Sequence, residues 1–329
     1  MKNRFLYLFF AGLVLALVIT ACHDEEKLLP LEHKADFVKT FPEGDNAWDR
    51  DLVEIADRFG VKCIYDDLTF EDISKAWVAT SGEYVGEGLP KDSIRLKQLY
   101  TRFMKEHVFA FLNPDYTKGV LPNYIYFAER YLSKYDVLLE PKPDWYQHVK
   151  SNYNGMGFWL FCWATGEFPG FFGVSTTVNM FTKPADIRKE RENILKEILK
   201  RMVDAGNIEV PVEFFNEFDY KTEIMWWPNQ VGELNYYKRR GFPEQLLTRP
   251  YPSAGSDLMM VSQTSPTLNF VAYLCLALRY PAEVIEENYK DFNKVIEYYY
   301  FTVDYMKEQY DMDLTLVAEE VTEDLDAGL

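Results

Sequence analysis

The sequence predicts an α+β protein with a small early sheet and a mostly helical C-terminal half. Short β-prone runs lie before residue 164 and the strongest helical patterns lie after residue 183, without the alternation of a doubly wound fold. Apolar residues make up 48% of the 329 residues, which is enough for a substantial core. Because no linker rich in proline or glycine divides the body, we expect one domain over residues 37–329.

Apolar periodicity and capping signals predict the elements in chain order. Residues 45–59 are expected to form a helix that Asp45 or Asn46 caps and Gly60 ends, and residues 61–65 a strand. Later elements are a helix over 93–111, an ambiguous strand or helix over 121–131, a strand over 156–163, helices over 184–203, 267–279 and 281–310, and a short helix after Asp313.

The N-terminus has the pattern of a lipoprotein signal peptide. Lys2 and Arg4 precede an apolar run over residues 5–19, which is shorter than the roughly 20 residues that span a membrane. Small residues before Cys22 resemble a bacterial lipobox, and this resemblance implies removal of residues 1–21 and lipidation of Cys22. The alternative is an ordinary secretory signal with a chance cysteine. We expect residues 22–36 to be a flexible tether to the membrane.

Charge and the residues after Cys22 bear on location. The formal net charge of −17 argues against nucleic acid as a partner, because its phosphates would be repelled. Residues 23–26, His-Asp-Glu-Glu, resemble the export signal of surface lipoproteins in Bacteroidota. The resemblance implies the outer membrane, with the body on the cell surface; a merely solvated acidic run is the alternative.

Three further cysteines, Cys63, Cys162 and Cys275, each lie among apolar residues. They form no C-x-x-C pair and permit at most one disulfide, so they do not suggest a zinc site. We expect buried free thiols.

The helix expected over 184–203 carries the residues of greatest chemical interest. Its apolar stripe leaves Lys196, Glu197 and Lys200 on the polar side. In the zinc-peptidase motif H-E-x-x-H, histidines at the two outer positions bind zinc and the glutamate activates a water. A protonated lysine has no lone pair to give a metal. Taken alone, the pattern is typical of a solvated helix face with ion pairs.

Several segments together resemble one family. They are residues 41–66, "VLPNYIYFAERY" at 120–131, "ILKEILKRM" at 194–202, "VPVEFFNEFDY" at 210–220, "YYKRRGFPEQLLTRPY" at 236–251 and "YDMDLTLVAEE" at 310–320. As a set, over residues 36–322, they are similar to the zinc-binding metallopeptidase lipoproteins of Bacteroidota. The resemblance implies a zincin-like or gluzincin-like body, with "ILKEILKRM" at the place of the H-E-x-x-H helix.

The chain departs from this family at the metal site. Lys196 and Lys200 stand where the resemblance implies histidine ligands, and the stretch matched to the third, acidic ligand, residues 268–273, contains no Asp or Glu. Glu197 keeps the general-base position but has no hydrolytic role without a metal. The resemblance therefore implies a pseudoenzyme with no metal and no cofactor; an active peptidase that holds zinc through atypical ligands is the alternative. A further hypothesis is that the lysines replace the lost cation and stabilise the old cleft.

Aromatic residues offer a second route to function. Four of them are candidates for a platform that stacks against a sugar or a peptide, with core packing as the alternative: Trp226, Trp227, Tyr236 and Tyr237. His107 and His148 have no second histidine at ligand spacing, and Glu213 with Glu217 is a weak candidate pair for glycoside hydrolysis.

These features predict a lipid-anchored outer-membrane protein that binds rather than cleaves, as an accessory of nutrient uptake. The expected partners are the membrane through Cys22, a peptide or glycan ligand, and an outer-membrane transporter or lipoprotein complex. A purely structural subunit of such a complex is a further alternative.

Overall fold

The structure is a computed structural model that describes residues 39–73, 84–134, 146–163, 166–169, 175–178, 183–222, 224–225, 231–243, 265–322 and 324–325. The chain divides into two compact units, Met1–Thr40 and Phe41–Leu329. The expected signal peptide, Cys22 and the tether lie outside the described residues. All elements below belong to the unit Phe41–Leu329.

Strands are concentrated in the first half of this unit. In chain order its elements are α1 (Ala47–Phe59), β1 (Lys62–Ile64), α2 (Phe70–Ile73), β2 (Tyr84–Gly88), α3 (Ile94–Arg102), a π-helical turn (Phe103–Val108), two 3-10 turns (Phe109–Phe111 and Pro114–Tyr116), β3 (Tyr124–Lys134), β4 (Tyr146–His148), β5 (Ser151–Asn152), β6 (Phe158–Cys162), β7 (Gly166–Pro169) and β8 (Ser175–Val178).

The described part of the second half is helical. Its elements are α4 (Pro184–Asp204), α5 (Val212–Asn216), α6 (Pro266–Arg279), α7 (Ala282–Asn288), α8 (Asn293–Tyr310) and α9 (Leu314–Ala318). The prediction of an α+β chain with early strands and late helices is therefore confirmed.

β3 is the centre of a six-stranded mixed sheet. Its first half lies between β1 and β6, and both of these partners are parallel to it. Its second half lies between β2 and β4, which are antiparallel to it. β5 continues the sheet beyond β6, and β7 pairs with β8 as a separate two-stranded ribbon.

The two faces of the sheet bury different sets of side chains. Ile125 of β3, paired with Trp159 of β6, faces the main core, which the helices complete. Tyr126, paired with Leu160, faces a smaller cluster on the opposite side. Alternate residues of a strand point to opposite faces, so strands buried on both faces read as the continuous apolar runs that the sequence shows at 158–162.

Local signals determine the ends of α1 as predicted. Asp49 Oδ2 accepts hydrogen bonds from the Asn46 backbone N–H at 2.8 Å and from the Asn46 side-chain amide at 2.9 Å. Gly60 follows the helix with φ of +72°, a conformation that glycine adopts without the steric cost other residues incur. At α9 the N-cap side chain itself is the acceptor, because Asp313 accepts from the Thr315 backbone N–H at 3.1 Å.

The ambiguous segment 121–131 contains most of the strand β3. Two expected helices differ in the structure. The helix expected over 93–111 continues after Arg102 as the π-helical turn and a 3-10 turn. The single helix expected over 281–310 is wrong, because a turn between Tyr289 and Phe292 separates α7 from α8. Neither proline nor glycine stands at this break. Instead, the turn packs both rings against the core, where Lys238 Nζ lies 4.9 Å and 5.8 Å from their centroids.

The three cysteines of the body are buried thiols, as expected, and form no disulfide among the described residues: Cys63, Cys162 and Cys275. Among the described helices, none is by itself long and apolar enough to cross a membrane; α6 and α7 pass the test of length and composition only as a pair, bent by 114°.

Candidate functional site

α4 holds the residues that the sequence singled out. It begins at Pro184, whose missing N–H costs nothing in a first helical turn. Its apolar stripe is buried as predicted and packs against α6 and the π-helical turn. Lys196, Glu197 and Lys200 lie off this stripe, the first two partly buried and Lys200 exposed.

The carboxylate of Glu197 is engaged by an arginine one turn later. Arg201 Nε donates to Glu197 Oε1 at 2.7 Å, and Arg201 Nη2 donates to the carbonyl oxygen of Tyr153 at 2.7 Å. The same guanidinium lies 5.1 Å from the ring centroid of Trp159. Glu197 is therefore one partner in a contact that joins α4 to the sheet, and its oxygen already accepts a charged hydrogen bond.

Of the two lysines, only Lys200 is exposed and ion-paired along the helix surface. Lys200 Nζ lies 3.3 Å from Asp204 Oδ2, with about half of each side chain exposed, and such pairs contribute little stability. Lys196 lies near the Cys275 thiol on α6. Burial raises the pKa of that thiol to about 11, and the charge of Lys196 opposes the rise. Neither contact supports the hypothesis that these lysines stabilise an old cleft.

The stretch matched to the third ligand position lies at the start of α6. Asn269 is fully buried there and donates from Nδ2 to the Tyr220 hydroxyl at 3.2 Å. His107 lies on the π-helical turn and His148 on β4. Within the described ranges, no three residues of the types His, Cys, Asp and Glu come together at metal-binding distances.

The aromatic platform requires a correction for two of its four members. Tyr236 and Tyr237 are only 6% and 1% exposed and belong to the main core, so their rings are not presented to a ligand. Their rings pack on each other at a centroid distance of 4.7 Å. Trp226 and Trp227 lie outside the described residues.

A charged triplet, Glu190, Arg191 and Glu192, lies buried in the middle of α4 and was not anticipated from the sequence. These side chains are only 3%, 4% and 8% exposed. Successive residues of a helix are rotated by about 100°, so the three point in three directions. Buried charges require partners, and each of the three has found a different one.

Two members of the triplet are held by oppositely charged side chains. Glu190 Oε2 lies 2.6 Å from Lys150 Nζ, while Glu190 Oε1 accepts from the Trp163 indole N–H at 3.1 Å. Glu192 Oε1 accepts from Arg279 Nε at 2.7 Å and from Arg279 Nη2 at 2.5 Å. These contacts connect α4 to the sheet and to the end of α6.

Arg191 connects α4 to the C-terminal segment instead. Its Nη2 donates to the carbonyl oxygens of Val317 and Glu319, the latter at 2.9 Å. Its guanidinium lies 5.3 Å from the Phe111 ring centroid. Its buried Nε has no hydrogen-bond partner among the described residues. Burial lowers the pKa of Arg191 to about 10, assisted by the nearby charge of Arg188.

A cavity of about 330 Å³ opens beside Arg191, between the π-helical turn, α4 and the segment that follows α9. We refer to it as the α4 cavity. Its basic and imidazole side chains are Arg102, His107 and Arg191, and its acidic side chains are Glu106, Glu319, Glu320 and Asp324. The acidic side chains are all exposed, whereas Arg191 is buried and Arg102 and His107 are partly buried.

Burial and nearby positive charge keep the imidazole in the α4 cavity neutral. Burial, assisted by the charges of Arg191 and Arg102, lowers the pKa of His107 to about 4. Its Nδ1 is buried without a hydrogen-bond partner among the described residues. Arg102 Nε is paired with Glu106 Oε2 at 3.0 Å, and Arg102 Nη1 donates to the Leu325 carbonyl at 3.1 Å. The arrangement therefore offers hydrogen-bond donors at its buried side and carboxylates at its exposed side.

In comparisons with protein-family models, with curated proteins and with solved structures, the chain matches none of them.

Proposed function

We propose that this protein is a lipid-anchored surface protein of the outer membrane that binds and does not cleave, built on a metallopeptidase-like body. One observation carries the non-catalytic part of the proposal: the carboxylate at the general-base position, Glu197, is held by Arg201 at 2.7 Å. A general base must be within reach of the water it activates and able to take its proton. Here Glu197 Oε1, an oxygen that would take the proton, already accepts a hydrogen bond from the Arg201 guanidinium.

The flanking positions support the same conclusion. Lys196 and Lys200 stand at the spacing of the two histidine ligands, and an ammonium group has no lone pair for a metal. In the structure Lys200 is paired with Asp204 along the helix surface. This part of the polar side of α4 therefore carries ion pairs, and Arg201 also joins it to the sheet.

The location rests on the N-terminal sequence. A basic start, an apolar run too short to span a membrane and a lipobox-like approach to Cys22 support lipidation and a membrane anchor. The acidic residues at 23–26 support display on the cell surface. In this setting the protein would serve a nutrient-uptake system as an accessory that captures a peptide or glycan.

Metal content tests the non-catalytic proposal. The full chain, purified in detergent, is loaded with zinc, dialysed and analysed by elemental mass spectrometry, and we expect no bound zinc. The matched control is the double variant Lys196→His, Lys200→His, which restores two ligands at i and i+4 and should retain zinc measurably. One zinc per chain in the unaltered protein, with peptide hydrolysis that a chelator and Glu197→Gln both abolish, would establish the peptidase instead.

Location has a separate test. Cys22→Ala should release the protein from the membrane fraction, and protease added to intact cells should digest the lipidated protein. Retention of the Cys22→Ala variant in the membrane would contradict lipid anchoring. Recovery of the partner complex by cross-linking, without any soluble ligand, would favour the purely structural alternative.

A further inference from the structure

The α4 cavity has two buried polar nitrogens in its wall whose hydrogen-bonding capacity the described residues do not use. Arg191 donates to two backbone carbonyls through Nη2, yet its buried Nε has no hydrogen-bond partner in the part of the chain that the structure describes. Within the same described part, the buried Nδ1 of His107, in the same wall, also has no partner. Buried polar atoms in native proteins are nearly always hydrogen-bonded, so two such atoms in the wall of one small cavity mark unused hydrogen-bonding capacity, and Arg191 Nε–H, which can only donate, requires an acceptor.

The group that best accepts a hydrogen bond from Arg191 is an anion. Arg191 is a cation held in a poorly solvated position, and its hydrogen bonds to Val317 and Glu319 go to neutral carbonyls. A carboxylate forms shorter and stronger bonds with a guanidinium than a neutral acceptor does. It would also favour protonation of His107, whose positive charge the two arginines now oppose.

The exposed side of the cavity selects against a simple anion. Glu319 and Glu320 lie there, and both are exposed carboxylates. They repel an anion that carries no positive charge, and they attract an ammonium group. Phe111 and Leu316 add apolar surface to the lining. A volume of about 330 Å³ lies at the lower end of the range for small-molecule sites.

We propose that the α4 cavity binds a small apolar zwitterion, a free amino acid or short peptide, with its carboxylate towards Arg191 and His107 and its ammonium group towards Glu319 and Glu320. This inference goes beyond the proposed function and does not depend on it, because zinc content and zwitterion binding are measured separately.

Three probes of matched shape test the proposal by calorimetric titration of the full chain in detergent. They are L-leucine, 4-methylpentanoate, which lacks only the amino group, and 3-methylbutylamine, which lacks only the carboxylate. We expect L-leucine to bind at least about tenfold more tightly than either analogue, the ratio that corresponds to one lost charged contact. Dileucine, tested alongside, distinguishes a peptide source from a free amino acid. Equal binding of leucine and 4-methylpentanoate, or no leucine binding up to about 10 mM, would overturn the proposal.

Variants assign the two ends of the ligand. Glu320→Gln should reduce the preference for leucine over 4-methylpentanoate, while Glu308→Gln, at an exposed position of α8, should leave it unchanged. His107→Gln should weaken leucine binding. Arg191→Lys tests the carboxylate end directly, but it also removes contacts to the C-terminal segment, so His107→Gln serves where that variant does not fold.

A spectroscopic measurement is independent of affinity. The chain has only four histidines, so the His107 imidazole signal can be assigned by its absence in His107→Gln. Leucine should shift that signal and raise the pH at which it titrates, because a bound carboxylate favours the protonated ring. A His107 titration that leucine leaves unchanged would show that the ligand binds elsewhere and would refute the assignment of this cavity.

Discussion

Replacing Glu190 with leucine should destabilise the protein by about 1–4 kcal/mol, because the change removes one charged contact and the carboxylate that accepts from a buried indole N–H. Glu190 is 3% exposed and accepts from the Trp163 indole N–H at 3.1 Å. Trp163 is itself 1% exposed, so water cannot replace the lost acceptor. The second partner, Lys150, is 48% exposed and can be hydrated when the carboxylate is gone.

The magnitude follows from treating the two partners separately. An unsatisfied buried N–H costs about 1–3 kcal/mol, whereas a partly exposed ion pair contributes up to about 1 kcal/mol. Glu190→Gln keeps an acceptor for the indole N–H and loses only the ion pair, so its cost should stay near 1 kcal/mol. The assay is equilibrium unfolding in urea, followed by both tryptophan fluorescence and circular dichroism to test for a single transition.

Two results would refute this reasoning. The first is a cost for Glu190→Leu no greater than that for Glu190→Gln, since the difference between them isolates the orphaned indole N–H. The second is additivity of the two substitutions in a double variant. Trp163→Phe removes the donor, so Glu190→Leu should cost about 1–3 kcal/mol less in that background. The control Glu308→Gln, at an exposed position, should remain within about 0.5 kcal/mol of the unaltered protein.

Three further predictions use other parts of the structure. Burial and the charges of Arg191 and Arg102 lower the pKa of His107 to about 4, so between pH 6.5 and pH 4 the unfolded chain binds a proton at His107 and the folded chain does not. The free energy of unfolding should therefore fall by about 1–2 kcal/mol, after discounting for solvent screening, as the pH drops from 6.5 to 4. His107→Gln should remove this part of the loss and leave the rest of the acid dependence unchanged. Lys200→Ala should change the free energy of unfolding in urea by less than about 0.5 kcal/mol, as should the control Lys118→Ala at another exposed ion pair. A larger loss for Lys200→Ala would support the hypothesis that Lys200 stabilises an old cleft. A thiol reagent such as Ellman's should modify all three body cysteines only after denaturation, and rapid modification of the native protein would contradict their burial.

Local signals predicted some elements well because they act over a few residues. The boundaries of α1 follow from Asn46, Asp49 and Gly60, which interact with backbone groups within one turn. The apolar stripe of α4 likewise follows from helical periodicity, which correctly placed Lys196, Glu197 and Lys200 off the buried face. The break between α7 and α8 was not predictable in this way, since it depends on where the rings of Tyr289 and Phe292 find the core.

The candidate site was harder to predict because its contacts are long-range. Glu190, Arg191 and Glu192 read as solvated charges, and charged residues are seldom this buried. Their partners stand far away in the sequence: Val317, which accepts from Arg191, is 126 residues distant. Helical periodicity does carry one signal, since Arg191 lies four residues after Ile187 and three before Ile194, on the apolar stripe that Lys196 and Lys200 avoid. Only the assembled sheet, α6 and C-terminal segment make burial of the triplet favourable.

The charged triplet also specifies the position of α4 along its own axis. An apolar stripe alone is permissive, because sliding a helix by one turn, about 5.4 Å, brings similar aliphatic side chains to the same sites. The triplet removes this freedom. Any slide or rotation would withdraw Glu190 from Trp163, Arg191 from Val317 and Glu192 from Arg279 at once, and would leave three buried charges unpaired. The buried charged triplet adds little net stability, but it selects one position of α4 along its axis among several that hydrophobic packing alone would allow.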